Sequence, residues 1–133
     1  GDLWVSERFT KAFEDQGLGI SFPCLERIKK VRKSAYCKSG ERPMPEDHYE
    51  SMQVKSLMKH TENPSRILLV DDIITRGSTM LAGVNLLKEA YPKAEIAGFA
   101  VMRTMSELDN FKDIEDPCIG TVRYQYGNLK REP

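Results

Sequence analysis

Two adjacent acids, Asp71 and Asp72, are the residues whose type and position most clearly suggest chemistry. They follow the apolar run 67–70 and precede a turn of mostly small side chains that opens a helical pattern. Paired carboxylates suit two neighbouring hydroxyl groups of a sugar, or a hydrated Mg²⁺. Backbone N–H groups of a turn at a helix N-terminus suit a phosphate. The turn consists of Thr75, Arg76, Gly77, Ser78 and Thr79. The pattern therefore predicts a site for a sugar phosphate.

The apolar run 67–70 has to position these groups. Its mostly branched side chains predict a strand covered on both faces in a parallel sheet, so that Asp71 and Asp72 emerge at the carboxyl edge. In open α/β sheets, ligands bind at this edge. A simpler interpretation is that the acids only end a strand and that Thr75 only caps a helix. The ordered succession of strand, acid pair and Gly-Ser-Thr turn favours the ligand site.

Helical and strand patterns alternate along the rest of the chain, which predicts an α/β fold with a mostly parallel, twisted sheet flanked by helices. The strand–helix–strand unit around the turn is expected to have a right-handed crossover. His48 and His60 have no second ligand at metal spacing, so we expect them at the surface or at helix caps. The segment 127–133 is expected to be frayed or to cover the site. Predicted helices span 4–16, 44–58 and 80–90, and predicted strands span 18–25, 67–70, 94–102 and 118–125.

Composition sets the broad class of the protein. The 133 residues fit a single domain, 1–133, that can bury a core without disulfides or metals. The 20 basic and 20 acidic residues cancel, so the overall charge does not argue for nucleic acid or an anionic membrane. No apolar run approaches membrane-spanning length and no signal-peptide pattern is present. The three cysteines, Cys24, Cys37 and Cys118, form no metal-ligand pattern and predict free thiols in a reducing cytoplasm.

The string 69–79 resembles the phosphoribosyl pyrophosphate (PRPP) signature of type I phosphoribosyltransferases, and the strong match covers residues 66–104. Within that superfamily the chain looks closest to the ComF-like, amidophosphoribosyltransferase-related proteins. The resemblance implies a Rossmann-like fold, with Asp71 and Asp72 on the ribose 2′- and 3′-hydroxyls and the 75–79 loop around the 5′-phosphate. Most family members carry a small residue or Thr where this chain has Arg76.

The reaction implied by the resemblance is transfer of the phosphoribosyl group from PRPP to a nitrogen nucleophile, with release of pyrophosphate. Mg²⁺ carried by PRPP, near Asp71 and Asp72, is the implied cofactor. Catalysis of this kind consists mainly of positioning the reactants and stabilising the leaving group. The nitrogen acceptor is not identified by the sequence. Family members are often dimers, so a homodimer is one alternative for the oligomeric state, which the sequence leaves open.

A basic segment, 27–45, precedes the acid pair and carries seven cations against one acid up to Arg42. Type I phosphoribosyltransferases have a flexible loop in this part of the chain, and the resemblance implies a flap that closes over pyrophosphate. Lys29, Lys30 and Arg32 are its candidate contacts. The alternatives are a solvated basic surface and a contact for nucleic acid.

One feature of family enzymes has no counterpart upstream of residue 66, namely a Gly-rich strand and loop that contacts pyrophosphate. The chain also begins with Gly1 instead of Met. Either the N-terminus is truncated or the fold is an N-terminally reduced version, and the second option favours binding over turnover. Three functions therefore stay open: an active phosphoribosyltransferase, a non-catalytic PRPP- or nucleotide-binding regulatory module, and a ComF-like accessory protein associated with nucleic acid.

Overall fold

The computed structural model describes residues 5–30, 43–55, 63–105 and 115–133. Helices and strands are interspersed along these segments, in agreement with the predicted α/β class. None of the described helices is long and apolar enough to cross a membrane. The helices are α1 (Val5–Asp15), α2 (Pro45–Glu50) and α3 (Ser78–Ala90), and the strands are β1 (Leu25–Arg27), β2 (Met52–Val54), β3 (Arg66–Ile74), β4 (Glu95–Arg103), β5 (Thr121–Gln125) and β6 (Asn128–Glu132).

The described strands form three two-stranded sheets, so these residues do not make up the mostly parallel sheet that the sequence predicts. The pairs β1–β2 and β5–β6 are antiparallel, and β3–β4 is parallel. A parallel pair needs a long crossover, which α3 provides, whereas antiparallel pairs close through short turns. The β3–α3–β4 unit is therefore the part of the described structure that has the predicted arrangement.

Helix α3 packs closely against one face of the parallel pair because glycines on both elements remove side chains from the contact. A Cβ atom built on Gly83 of α3 would lie 2.7 Å from Leu69 of β3, and one on Gly98 of β4 would lie 2.6 Å from Met80 of α3. The helix ends where the Tyr91 N–H donates to the Leu87 carbonyl at 2.8 Å. Most of the buried apolar side chains of the described residues belong to this unit: Met80, Ala82, Leu87 and Ala94.

Helix α1 packs on the opposite face of the same pair. Phe99 follows Gly98 in β4 and so points away from α3. Its ring meets Phe13 of α1 edge to face, with 5.5 Å between the ring centroids. The predicted end of the helix 4–16 is confirmed, because α1 ends at Asp15, Gly17 takes a left-handed φ of 71° and the Leu18 N–H donates to the Phe13 carbonyl at 3.0 Å.

Two predicted elements upstream of β3 are wrong in extent. The predicted helix 44–58 stops at Glu50, because the Ser51 hydroxyl donates to the His48 carbonyl at 2.8 Å and the chain then enters β2. The predicted strand 18–25 contributes only its last residue to β1. Pro23 has no N–H to donate to a strand ladder, and the Cys24 N–H turns back to the Phe22 carbonyl at 2.9 Å.

The last predicted strand is the first half of a hairpin. Strand β5 starts at Thr121, and residues 127–133 are not frayed, because β6 pairs with β5 from Gln125–Asn128 to Thr121–Glu132. Tyr126 and Gly127 join the two strands with φ values of 51° and 75°. Two consecutive positive φ angles are the signature of a type I′ hairpin turn.

Candidate functional site

Strand β3 carries the acid pair at its carboxyl end. Asp71 and Asp72 lie within the strand instead of after it, because pairing with β4 continues to Ile74 opposite Arg103. The Asp72 N–H donates to the Asp71 carboxylate at 2.9 Å, and the Ile73 N–H donates to the Asp72 carboxylate at 2.8 Å. Each carboxylate is thus held against the backbone just before the 75–79 loop.

The proton affinity of Asp71 is unusual for an aspartate. Burial raises the pKa of Asp71 from 3.8 to about 6, helped by a hydrogen bond with the neighbouring Asp72 carboxyl and by its charge, while the Arg27 charge acts in the opposite direction. A carboxyl group with a pKa near 6 is mostly ionised at pH 7 but holds a proton readily. Perturbation by burial together with a nearby carboxylate is common at functional sites.

The 75–79 loop turns sharply at Gly77, the residue before α3. Gly77 has a φ of 92° and is buried, and the carbonyl of Gly77 accepts the first helical hydrogen bond from the Leu81 N–H at 2.9 Å. A Cβ atom on Gly77 would lie 2.6 Å from Val122 of β5. Only glycine combines this conformation with so close an approach of the hairpin. The hairpin therefore covers the Gly77 side of the loop.

The first two residues of the loop, Thr75 and Arg76, border a cleft. The cleft has a volume of about 330 Å³ and lies at the carboxyl edge of β3 and β4. An anion the size of a phosphate group fits a space of this volume. The residues that line it come from the loop, from the segment after β4 and from β6: Thr75, Arg76, Thr104, Met105, Leu129, Lys130 and Arg131.

Two arginines join the hairpin to this edge. The Arg131 guanidinium donates to the Ile74 carbonyl at 2.8 Å and also to the Thr104 carbonyl. Arg76 donates in the opposite direction, to the Leu129 carbonyl at 3.4 Å. The side chain of Arg76, the position at which this chain differs from most of the family it resembles, therefore reaches the hairpin. The sequence offered no signal for Arg131, whose partners are backbone atoms far away in the chain.

A buried histidine adjoins the loop. His48 of α2 is only 5% exposed, and its two ring nitrogens lie 3.3 and 3.5 Å from the Thr79 hydroxyl. The expectation that His48 lies at the surface or at a helix cap is wrong. The last turn of α2 packs against the start of α3, and this packing buries the imidazole ring. No local sequence pattern located it, because Glu46, Asp47 and Glu50 make α2 largely polar.

The basic segment is described only at its two ends. Lys29 and Lys30 are exposed, whereas Arg32 lies outside the described residues, as do Cys37 and His60. Among the described cations of this segment, Arg27 acts on the acid pair, because its charge lowers the pKa of Asp71. Its guanidinium donates to the Ser51 hydroxyl at 2.9 Å, which fixes the start of the segment against α2.

The donor chemistry of the site fits Mg²⁺ only in part. Two carboxylates supply the hard oxygen ligands that Mg²⁺ prefers. Within the described ranges, no group of three or more His, Cys, Asp or Glu side chains is placed to hold a metal ion. Asp71 and Asp72 suit an ion that keeps most of its ligands from water and from substrate phosphates.

Comparison with known proteins gives one match. The family model of the phosphoribosyl transferase domain matches residues 20–117, which include the acid pair, the 75–79 loop and the whole β3–α3–β4 unit. No curated protein and no solved structure matches the chain significantly.

Proposed function

Because this chain belongs to the phosphoribosyl transferase domain family, we propose that it transfers the phosphoribosyl group of PRPP to a nitrogen nucleophile. The observation that supports this most strongly is the placement of two carboxylates and a glycine turn at the carboxyl end of one strand, where Thr75 and Arg76 line a cleft. This is the edge at which α/β folds bind their ligands.

Each part of the site has a proposed role. Asp71 and Asp72 bind the ribose 2′- and 3′-hydroxyls, since ionised carboxylates accept hydrogen bonds from both. Backbone N–H groups of the 75–79 loop (Thr75, Arg76, Gly77, Ser78 and Thr79), together with the start of α3, hold the 5′-phosphate. Thr79 adds a side-chain hydroxyl. Lys29, Lys30 and Arg32 remain the proposed contacts for pyrophosphate.

The transfer breaks the bond from the anomeric carbon to the pyrophosphate oxygen and forms a bond from that carbon to nitrogen. Positive charge develops on the ribose ring, so the negative charge of Asp71 and Asp72 next to it lowers the barrier. Asp71, with a pKa of about 6, is suited to accept the proton that the nucleophile releases. Mg²⁺ bound with PRPP supplies charge neutralisation on the departing pyrophosphate.

The more detailed parts of the proposal depend on the resemblance of residues 69–79 to the PRPP signature. We propose a ComF-like, amidophosphoribosyltransferase-related protein, a homodimer, and a mostly parallel sheet of which β3 and β4 are a part. The cytoplasm is the proposed location, and the free thiols of Cys24 and Cys118 are consistent with a reducing compartment.

Release of pyrophosphate tests the proposal directly. The protein is incubated with PRPP, Mg²⁺ and a panel of purine and pyrimidine bases, aromatic carboxylates and ammonia, and pyrophosphate is measured. With an active acceptor, Asp72→Asn is expected to lower kcat/KM by about 100-fold, because it removes a charge that acts on the transition state. The matched control is Asp116→Asn, an exposed acid outside the site.

The other two functions give different results in the same experiment. A regulatory module binds PRPP, loses that binding in Asp72→Asn and releases no pyrophosphate with any acceptor. An accessory protein for nucleic acid binds DNA with a steep salt dependence and is indifferent to PRPP. Either outcome contradicts the proposed transfer.

A further inference from the structure

The cleft at the carboxyl edge of β3 and β4 is a feature of the described structure to which the proposed reaction assigns no reactant. Its volume of about 330 Å³ lies at the lower end of the range for small-molecule sites. The ribose hydroxyls, the 5′-phosphate and pyrophosphate have proposed contacts on the acid pair, on the backbone of the 75–79 loop and on the basic segment. The nitrogen acceptor is the reactant that still lacks a site.

The described residues that line the cleft include three cations and no acid. Arg76 comes from the loop, and Lys130 and Arg131 come from β6. Met105 and Leu129 supply apolar surface in the same cleft. Positive charge next to apolar surface suits a small anion with an apolar body, because each part of such a ligand then has a complementary partner.

Arg76 is the cation best suited to bind the charged group of such a ligand. Its guanidinium has five N–H donors, and in the described structure it meets one protein acceptor, the Leu129 carbonyl, at 3.4 Å. This distance is at the long limit of a hydrogen bond. No carboxylate of the described residues forms an ion pair with Arg76, and its side chain is exposed. A carboxylate bound in the cleft can therefore accept from its other donors.

The two other cations of the cleft have partners within the protein. Arg131 donates to the Ile74 and Thr104 carbonyls, so its guanidinium is fixed at the ends of β3 and β4. Lys130 pairs with Glu132 of the same strand, and both side chains of this pair are largely exposed. An exposed ion pair is weak in water, so the Lys130 charge can also act on a bound anion.

The position of the cleft relative to the acid pair also suits an acceptor. Strand β4 occupies one edge of β3, and α3 and α1 cover the two faces of this pair. Arg27 at the end of β1, whose charge acts on Asp71, therefore approaches from the other edge of β3, and Lys29 and Lys30 follow it in the chain. The cleft is bordered by the residues after β4, so it lies across the acid pair from the proposed pyrophosphate contacts. In a single displacement the nucleophile approaches the anomeric carbon from the side opposite the leaving group.

We propose that the cleft is the acceptor subsite of the phosphoribosyl transfer and that Arg76 makes it specific for a nitrogen acceptor that carries a carboxylate. The inference rests on the proposed function, because only a transfer needs an acceptor. In the transfer, the lone pair of the acceptor nitrogen forms the bond to the anomeric carbon, and the electron pair of the broken C–O bond leaves with pyrophosphate. A proton on that nitrogen passes to Asp71. The carboxylate is unchanged and orients the acceptor.

Pairs of acceptors that differ by the carboxylate test this inference: orotate and uracil, nicotinate and nicotinamide, anthranilate and aniline. Pyrophosphate release is measured with PRPP, Mg²⁺ and each acceptor, and the ratio of kcat/KM within a pair reports the contribution of the carboxylate. In the active pair, the wild type is expected to prefer the carboxylate by about 30-fold. Arg76→Gln should lower this ratio about tenfold, mainly through the KM of the carboxylate, because it removes a charge-assisted hydrogen bond.

Two further variants make the result specific to the cleft. Arg66→Gln is the matched control, because it removes the same charge from an exposed position at the opposite end of β3, and it should leave the ratio unchanged. Lys130→Gln changes a second, exposed cation of the cleft and should lower the ratio about threefold. It keeps the test decisive if Arg76→Gln does not fold. Ratios equal to that of the wild type in the folded cleft variants overturn the inference.

A binding experiment separates the acceptor subsite from the phosphate loop. The protein is saturated with ribose 5-phosphate, and the Kd of orotate, nicotinate and anthranilate is measured by calorimetry. Binding that persists supports a separate subsite, whereas competition with ribose 5-phosphate assigns the cleft to the 5′-phosphate and overturns the inference. Transfer to uracil, nicotinamide, aniline or ammonia alone also overturns it but leaves the proposed function standing. Absence of pyrophosphate release with every acceptor contradicts both.

Discussion

The β3–α3–β4 unit and the β5–β6 hairpin meet at the candidate site but are stabilised in different ways. The unit buries Met80, Ala82, Leu87 and Ala94, whereas Leu129 is the one buried apolar residue of the described hairpin. The hairpin is instead attached by guanidinium groups that bind backbone carbonyls and by Val122 against Gly77. The comparison indicates that apolar burial builds the strand edge, while polar contacts from a distant segment enclose it.

The two regions are expected to differ most in how far the free energy of unfolding falls when a buried leucine is replaced by alanine. Leu87 is 1% exposed in α3 and Leu129 is 8% exposed in β6. Leu87→Ala is expected to lower the free energy of unfolding by about 4 kcal/mol and Leu129→Ala by about 2 kcal/mol, since the better packed site relaxes less around the cavity. Urea denaturation measures both, with the exposed Leu18→Ala as a control. Equal losses would contradict the different stabilisation of the two regions.

The contact between the two regions is tested by placing a methyl group at Gly77. Gly77 and Gly127 both have positive φ, but a Cβ atom meets Val122 at 2.6 Å only in the first case and has nothing within 4 Å in the second. Gly127→Ala is expected to cost about 1 kcal/mol for the left-handed backbone alone. Gly77→Ala should cost about 3 kcal/mol, because the steric overlap adds to the same penalty.

A second substitution isolates that overlap. Val122→Ala in the Gly77→Ala background should recover about half of the lost free energy of unfolding, since it removes the atoms that the new methyl group would touch. No recovery would mean that the hairpin does not rest on the loop.

The acid pair is expected to make the unit less stable at neutral pH. The folded state holds a proton on Asp71 up to about pH 6, whereas the unfolded chain releases it near 3.8, so the stability contributed by this group is present at low pH and is lost as the pH rises from about 4 to 6. Asp71→Asn keeps an acceptor for the Asp72 N–H and should stabilise the protein by about 2 kcal/mol at pH 7.5.

Urea midpoints at pH 4 and pH 7.5 check this expectation. Wild type and Asp71→Asn should differ little at pH 4 and clearly at pH 7.5, and Asp116→Asn, an exposed acid, should show no such change. A variant that is less stable than the wild type at pH 7.5 would show that the ionised carboxylate is stabilising.

The smallest expected effect concerns the attachment of the hairpin. Arg131→Met removes the hydrogen bonds to the Ile74 and Thr104 carbonyls and should cost about 1 kcal/mol. Hydrogen exchange is expected to speed up in β5 and β6 while β3 keeps its protection. Lys130→Met is the matched control, because Lys130 pairs with Glu132 within the same strand. Equal acceleration in β3 would contradict separate stabilisation of the two regions.

The sequence predicts the unit far better than its surroundings. The run 67–70, the Gly-Ser-Thr turn and the apolar face of 80–90 are local patterns, and the structure has β3, α3 and β4 within a few residues of the predicted bounds. The acids lie inside β3 because pairing with β4 extends this strand beyond residue 70. No local sequence pattern indicates that extension. The hairpin did have a signal, Gly127 after the alternating run 121–125, which the alternative of a frayed 127–133 overlooked; the other alternative was that this segment covers the site.

The contacts that complete the site could not be predicted in the same way. Arg131 and Ile74 are 57 residues apart. Every residue has a backbone carbonyl, so the sequence does not indicate which carbonyl accepts a hydrogen bond from Arg131. His48 is equally hidden, since its burial depends on where a six-residue helix docks. Such contacts depend on tertiary packing. The periodic patterns of a single sequence predict helices and strands, but they do not indicate which distant residues come into contact.

The link between Arg131 and Ile74 also sets an order of events during synthesis. A ribosome adds about 5–20 residues per second. Arg131 therefore follows Ile74, 57 residues earlier in the chain, after a delay of roughly 3–11 seconds. The residues of β3 and β4 are both synthesised before Arg131, because β4 ends at Arg103. Translation thus delivers the strand edge first and its enclosing hairpin only seconds later.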